Sequence, residues 1–386
     1  MAKKALFIMA VLMMMTAVVF AGPGGEKKAA ADGKPTVTLW TTGSQNLSDL
    51  FNKAIEIYNA RPDAKARVEL QFLMSGTGDA TLADRIAAAY KTGNKNDHFD
   101  IIAENSTAFA NMVERAGSPD LFSPIDFSKI PNFKNVLIKS AFDNTKVVPY
   151  RGTTVVFAYD SGRVPNPPQT WAELEQWIIA HPGRFTYNPP DTGGAGGGFV
   201  NTAVYRFMPQ ESKISTDPKW AAQWDQGFNW LKKIHPYIYK SGGKVVYPNK
   251  NQGPLDLLIN KEVDIIPAWA DQVLSNMDMG TLPATTKIYQ LKDYALNGTD
   301  VVFACPSIGA NKEAAYDFIN WMISPEAQKL CLETIFAVPV ISPTMIQSNK
   351  TSAVSSLDVS GFSIISLGKL GTTLNDKWQS DIATIK

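Results

Sequence analysis

Short apolar runs alternate with helical stripes along this chain. Val37-Thr38-Leu39-Trp40 predicts a first strand. Residues 46–60 then set Leu47, Leu50, Phe51, Ile55 and Tyr58 at helical spacing. Val68 to Leu73 predicts a second strand. Thr81-Leu82-Ala83-Asp84 is a capping-box sequence, in which hydroxyl and acid each satisfy a free N–H of the helix start. It opens a helix to Tyr90. Asp100-Ile101-Ile102-Ala103 predicts a third strand. Repetition of strand and helix implies a mainly parallel sheet covered on both faces.

Val147 to Tyr159 is a longer β-rich stretch, followed by Pro165, Pro167 and Pro168. Thr170-Trp171-Ala172-Glu173 repeats the capping-box sequence and begins a helix to about Ala180. Asp217-Pro218 starts another, with proline at the first helical position. Trp220, Trp224, Phe228 and Leu231 share one of its faces and read as core. Gly253-Pro254 opens a short helix ending near Lys261, and Glu262 to Ile266 leads into a strand. Val301 to Ala304 is again strand-like. Glu313 to Ile323 is a helix with Ala315, Phe318, Ile319 and Met322 inward, and Ser324-Pro325-Glu326 caps the next. From Thr351 onward no regular pattern emerges.

The first residues bear on compartment. Lys3 and Lys4 precede an apolar run from Ala5 to Phe20, which ends in Val19-Phe20-Ala21. That is the layout of a signal peptide cleaved after Ala21. The run falls short of the roughly 20 residues a spanning helix needs. A periplasmic or extracellular location is expected. Pro23 stands where a lipoprotein would carry its cysteine, so no lipid is expected there. Residues 22–35 are small and polar and read as a flexible leader.

The chain beyond this leader is too long for one ordinary core and implies two domains. The formal charge is +1, and removing the two lysines of the signal leaves −1. Such a balance offers no basic excess for nucleic acid or a membrane surface. Cys305 and Cys331 are the two cysteines; an exported chain can pair them, or both can pack as free thiols. Without a supporting histidine cluster they make no metal site, and no cofactor is implied. The three histidines, His98, His181 and His235, are isolated, and no Gly-x-Ser-x-Gly occurs. A secreted hydrolase therefore has little to stand on, and a sensory ligand-binding module lacks an attached signalling segment.

Several segments resemble a known family. Ala314-Ala315-Tyr316-Asp317-Phe318-Ile319-Asn320-Trp321 followed by Ser324-Pro325-Glu326-Ala327-Gln328 resembles the late helix pair of bacterial extracellular solute-binding proteins. Asn260-Lys261-Glu262-Val263-Asp264-Ile265 resembles a turn in their second lobe, and Pro168 to Leu174 the helix after their hinge. Pro182 to Asp191, together with Pro149-Tyr150-Arg151-Gly152, is similar to the YnjB-like branch, near the thiamine, polyamine and iron binders. The resemblance implies the type II periplasmic-binding α/β fold, two lobes joined by two hinge crossings near 147–160 and 299–308. Lobe 1 would hold 36–150 with 305–386 returning to it, and lobe 2 would hold 151–304. It implies a monomer, not an enzyme, that delivers its ligand transiently to an ABC permease in the membrane.

In open α/β sheets, ligands bind beyond the carboxyl ends of the strands. That selects Trp40, Thr41 and Thr42, then Ser75, Gly76 and Thr77, then Glu104 and Asn105. Tyr150 and Arg151 lie at the expected hinge. Asp191, Gly193, Gly194, Trp269 and Asp271 come from lobe 2. Trp40 and Trp269 can sandwich a flat or cationic ligand, or be core. Glu104 and Asp271 can meet a positive group, or be solvated or form an interlobe ion pair. Arg151 can hold a carboxylate or phosphate, or brace the hinge. The Gly193–Gly198 cluster lacks the ending of a P-loop and reads either as an anion site before a helix beginning at Phe199 or as a surface loop. An organic cation or heteroaromatic such as thiamine or a polyamine is the favoured ligand, a phosphorylated or carboxylated solute the alternative. Iron would need paired tyrosines, for which Tyr237 and Tyr239 are the close candidates.

Overall fold

The computed structural model describes residues 33–74, 81–93, 98–355, 357 and 364–385. The expected signal peptide, most of the expected leader, and Ser75, Gly76 and Thr77 lie outside these residues. Strand β1 (Thr36–Gly43) leads into α1 (Gln45–Ala60), β2 (Arg67–Met74), α2 (Leu82–Lys91), β3 (Ile101–Asn105) and α3 (Ser106–Ala116). As far as β3 this is the alternation the apolar pattern predicts, and α3 extends it. The Thr81 capping box forms in full: Thr81 Oγ1 accepts from the Asp84 N–H, and the Asp84 carboxylate accepts from the Thr81 N–H.

The long strand β4 (Val147–Asp160) is buried along its whole length. After it come α4 (Trp171–Ala180), α5 (Gly194–Tyr205), α6 (Asp225–Ile234), the two-residue strands β5 (Lys240–Ser241) and β6 (Lys244–Val245), α7 (Gln252–Ile259), β7 (Ile265–Trp269), α8 (Ala270–Asp278), β8 (Thr286–Tyr289) and β9 (Gly298–Ala304). Helices α9 (Lys312–Met322), α10 (Pro325–Ile335), α11 (Thr351–Ser355) and α12 (Lys369–Trp378) complete the chain. At α4 only half of the second capping box forms. Thr170 accepts from the Glu173 N–H, while Glu173 turns to the Gln169 N–H instead.

The main sheet runs in the order β2-β1-β3-β9-β4-β7, with β8 also on β4. β1 pairs in parallel with β2 and β3, whereas β9 is antiparallel to both of its neighbours. β4 serves two lobes. Its first part, Val147–Thr154, pairs with β9, and its second part, Val155–Asp160, pairs with β7 and β8. β4 and β9 are thus the two crossings of a type II periplasmic-binding fold.

Each lobe has its own core. The first gathers Leu39, Leu50, Phe51, Ile101, Phe303, Phe318 and Ile335. The second is aromatic, with Trp171, Phe185, Phe199, Trp224, Phe228 and Trp230. The Trp220–Leu231 stripe is buried there, as its spacing predicts. Cys305 and Cys331 are free, buried in the first core, and burial pushes both thiols up to about 12. The tail departs from expectation. Ile365, Leu370, Leu374, Trp378 and Ile382 join the second core, and Trp378 Nε1 donates to Tyr187 Oη. The packing thus sets residues 365–382 against lobe 2, whereas Cys305, α9, α10 and Val354 pack in the first core. Which core this tail serves is set by tertiary packing, which no local pattern after Thr351 announces.

Candidate functional site

A cleft of about 530 Å³ opens where the carboxyl ends of β1, β3 and β7 meet the crossing of β4 and β9. Its floor is Arg151 and Thr153 of β4 beside their register partners Val301 and Thr299 of β9. One wall is Thr41–Leu47 with Ala103, Glu104 and Asn105. The other is Thr192–Gly194, Lys250–Gln252, Trp269, Asp271 and Gln272. The starts of α1, α3, α5, α7 and α8 all line it. Helix starts carry partial positive charge, so the cleft is electropositive before any side chain is counted.

Three buried charges modify that field. Glu104 Oε1 accepts from the Thr42 N–H at 2.7 Å, which ties β3 to β1. Burial pushes this carboxyl up to about 7, against the opposing pull of Thr42 and Arg151. Asp271 sits in the first turn of α8, 3.6 Å from Arg151 Nη1. Burial raises its pKa too, and Arg151 opposes the rise. Arg151 is 8% exposed, and its Nε and Nη1 are buried without a hydrogen-bond partner among the described residues.

Of the residues singled out from sequence, Thr41, Thr42, Glu104, Asn105, Arg151, Gly193, Gly194, Trp269 and Asp271 line this one cleft. Three do not. Trp40 packs on the opposite side of the sheet, stacked on Phe99 with centroids 5.0 Å apart, its Nε1 donating to the His98 carbonyl. Tyr150 is fully buried in the first core, its ring 4.2 Å from that of Phe303. A bulge between Pro149 and Arg151 breaks the register with β9 there. Tyr150 is the residue left over, while Arg151 faces the cleft, as bulges beside sites re-aim side chains. Asp191 turns outward, its carboxylate accepting from Gln379 Nε2 at 3.1 Å.

The glycine cluster is neither a loop nor a leader to a helix at Phe199. It is the first turn of α5 itself, which begins at Gly194. A Cβ on Gly196 would stand 1.9 Å from the Asn188 carbonyl oxygen, and one on Gly194 2.7 Å from the Trp269 ring. Close approach is the reason for glycine here. Tyr237 and Tyr239 pack against the second core, away from the cleft.

Sequence reasoning missed Gln45, Asn46, Thr153, Lys250, Asn251, Gln252, Gln272 and Thr299. The polar run Asn249 to Gln252 ahead of Gly253-Pro254 is the signal that was there to read. No long strand precedes it, so the strand-end rule passed it over. Asn251 Oδ1 accepts from the Ala195 N–H at 3.0 Å and so supplies the cap that Gly193 lacks.

The family model described as bacterial extracellular solute-binding protein matches residues 53–353. The chain belongs to that family. The putrescine-binding periplasmic protein PotF of Escherichia coli is 24% identical over 315 residues, covering 75% of this chain and 80% of that one. Protein YnjB of Escherichia coli is 26% identical over 190 residues, 47% of this chain and 46%, about half, of its own length. A putative extracellular solute-binding protein from Bordetella parapertussis shares the fold, with a TM-score of 0.67 at 15% identity over 90% of this chain and 98% of that one. The glycine-started helix α5 and the two crossings are therefore features of this solute-binding protein within a fold its relatives share.

Proposed function

We propose that this protein is the extracytoplasmic substrate-binding component of an ABC importer. It captures a small organic solute in the cleft, closes about β4 and β9, and presents the closed form to its permease. The observation that carries this reading is that both walls of one cleft come from different lobes across two shared strands. A ligand touching both walls favours the closed state by its differential contacts. An amine or heteroaromatic part of the solute lies against Trp269, with Glu104 and Asp271 as counter-charges. Relatives named for putrescine and for spermidine support this choice. The protein works as a monomer outside the cytoplasmic membrane.

Native mass spectrometry of the protein from its source, followed by thermal-shift titration with the released compound, tests this. A copurified small molecule whose return raises the melting temperature with concentration is expected. A protein that carries no small molecule and whose melting is unmoved by amines and heteroaromatics would overturn it.

A further inference from the structure

Resting on that reading of the cleft, we propose that the solute is zwitterionic: Arg151 holds an oxyanion group, carboxylate or phosphate, and Glu104 faces the ammonium group. Unmet hydrogen-bond donors carry the first half of this assignment. Arg151 is nine-tenths buried, yet its Nε and Nη1 donate to nothing among the described residues. Its 3.6 Å approach to Asp271 is too long for a hydrogen bond. Leaving charged donors buried and unpaired is costly. Arg206 is half-buried, and its Nε and Nη1, also buried without hydrogen-bond partners among the described residues, are compensated differently. Its guanidinium lies 4.1 Å from the ring of Trp171 and 4.5 Å from that of Trp230. Arg151 has no ring so close: the Tyr150 ring is 5.9 Å away, the Tyr150 hydroxyl and Asp271 are its polar neighbours, and it lines an open cleft. A guanidinium fork there matches an oxyanion.

A second feature points the same way. The start of α5 lines the same cleft, and its N-cap is Gly193, which brings no side-chain oxygen of its own. Asn251 satisfies one N–H of that turn. The start of α8 differs, because Asp271 already occupies its first turn. The start of α5 thus offers a ligand in this cleft a positive end with no acid in its first turn. Charge counting then fixes the other half of the solute. Arg151 with Asp271 and Glu104 leaves one carboxylate in excess, with Lys250 at the exposed rim. A diamine brings a cation up to Arg151, and a diacid brings an anion up to Glu104. A zwitterion sets its anion against Arg151 and its cation against Glu104, with Asp271 still beside Arg151.

Calorimetric titration of the purified protein with 1,4-diaminobutane, 4-aminobutanoate and butanedioate, and with their five- and six-carbon homologues, compares end groups at constant length. Inorganic phosphate and O-phosphoethanolamine form the phosphate arm. An amino acid or aminophosphate binding at least tenfold more tightly than the matched diamine or diacid is expected. Arg151→Gln should reduce that preference to below threefold, and Arg151→Lys should restore part of it, with melting of the ligand-free variants monitored throughout. A diamine that binds as tightly as the amino acid, or a preference unchanged in Arg151→Gln, overturns the proposal and leaves solute capture standing. Failure of every probe at millimolar concentration also overturns it, and a copurified solute of another class then still supports capture.

Discussion

The carboxyl ends of β1 and β7 make an instructive pair. Each carries a tryptophan, Trp40 or Trp269, and sequence treats them alike. Trp269 is the last residue of β7 and the N-cap of α8, so its side chain stands at the cleft. Trp40 is the fifth residue of an eight-residue strand, because β1 runs on through Thr41 and Thr42 to Gly43. Strand alternation then sends Trp40 to the far face, onto Phe99. Three more residues of pairing with β2 decide whether an indole is a ligand wall or core.

Four substitutions put this contrast between the two tryptophans at risk. Trp40→Ala should cost about 3 kcal/mol of stability, toward the low end for removing a packed tryptophan. The affinity of the folded fraction should stay within about twofold. Urea unfolding and calorimetry on the same preparation check both, and a large loss of affinity would put Trp40 back at the site. Glu104→Gln should change the pH dependence of the cleft-end contacts of β1 and β3. The Glu104 pKa is raised in the folded state by burial, to about 7. The native state thus holds its proton more tightly than the unfolded chain, and stability falls as pH rises from the ordinary carboxylate range through about 7. The ligand-free Gln variant should lose that decline, a gain on the order of 2 kcal/mol above pH 8. Melting curves from pH 4 to 8.5 that overlay those of the unaltered protein would contradict the buried, ionising Glu104.

Trp269→Ala should weaken binding about tenfold, or about 1.4 kcal/mol, with a smaller change in stability than Trp40→Ala. Unchanged affinity would remove the indole from the ligand wall. Gly194→Ala has the smallest expected effect, about threefold in affinity, because the added methyl displaces the Trp269 ring it would touch without deleting it. A Gly194→Ala variant weaker than Trp269→Ala would show that the glycine acts through the helix start and not through the indole.

These residues also mark what was legible in the sequence. Strand and helix positions up to β3, the helices opened by Thr170 and Ser324 and the long β4 all followed from local spacing, capping and apolar runs, which are properties of neighbouring residues. Where the strands end was less legible, since the extra pairing of Thr41 to Gly43 with Phe72 to Met74 depends on another segment. Tyr150 and Arg151 could not be separated, because a bulge is a property of a strand pair. The Gly193–Gly198 run carries no helical propensity. Asn188, Trp269 and Asn251, from three other segments, stand so close to it that a Cβ at Gly193, Gly194 or Gly196 would meet them.

The path of the chain's end has a consequence for timing. The first core needs α9 and α10, and the aromatic core needs Trp378 and Ile382, all of which follow both crossings in the chain. Neither core can be sealed on a partly synthesised chain. Contacts of such long sequence separation form slowly. The last helix thus closes the second lobe only after both crossings have been laid down.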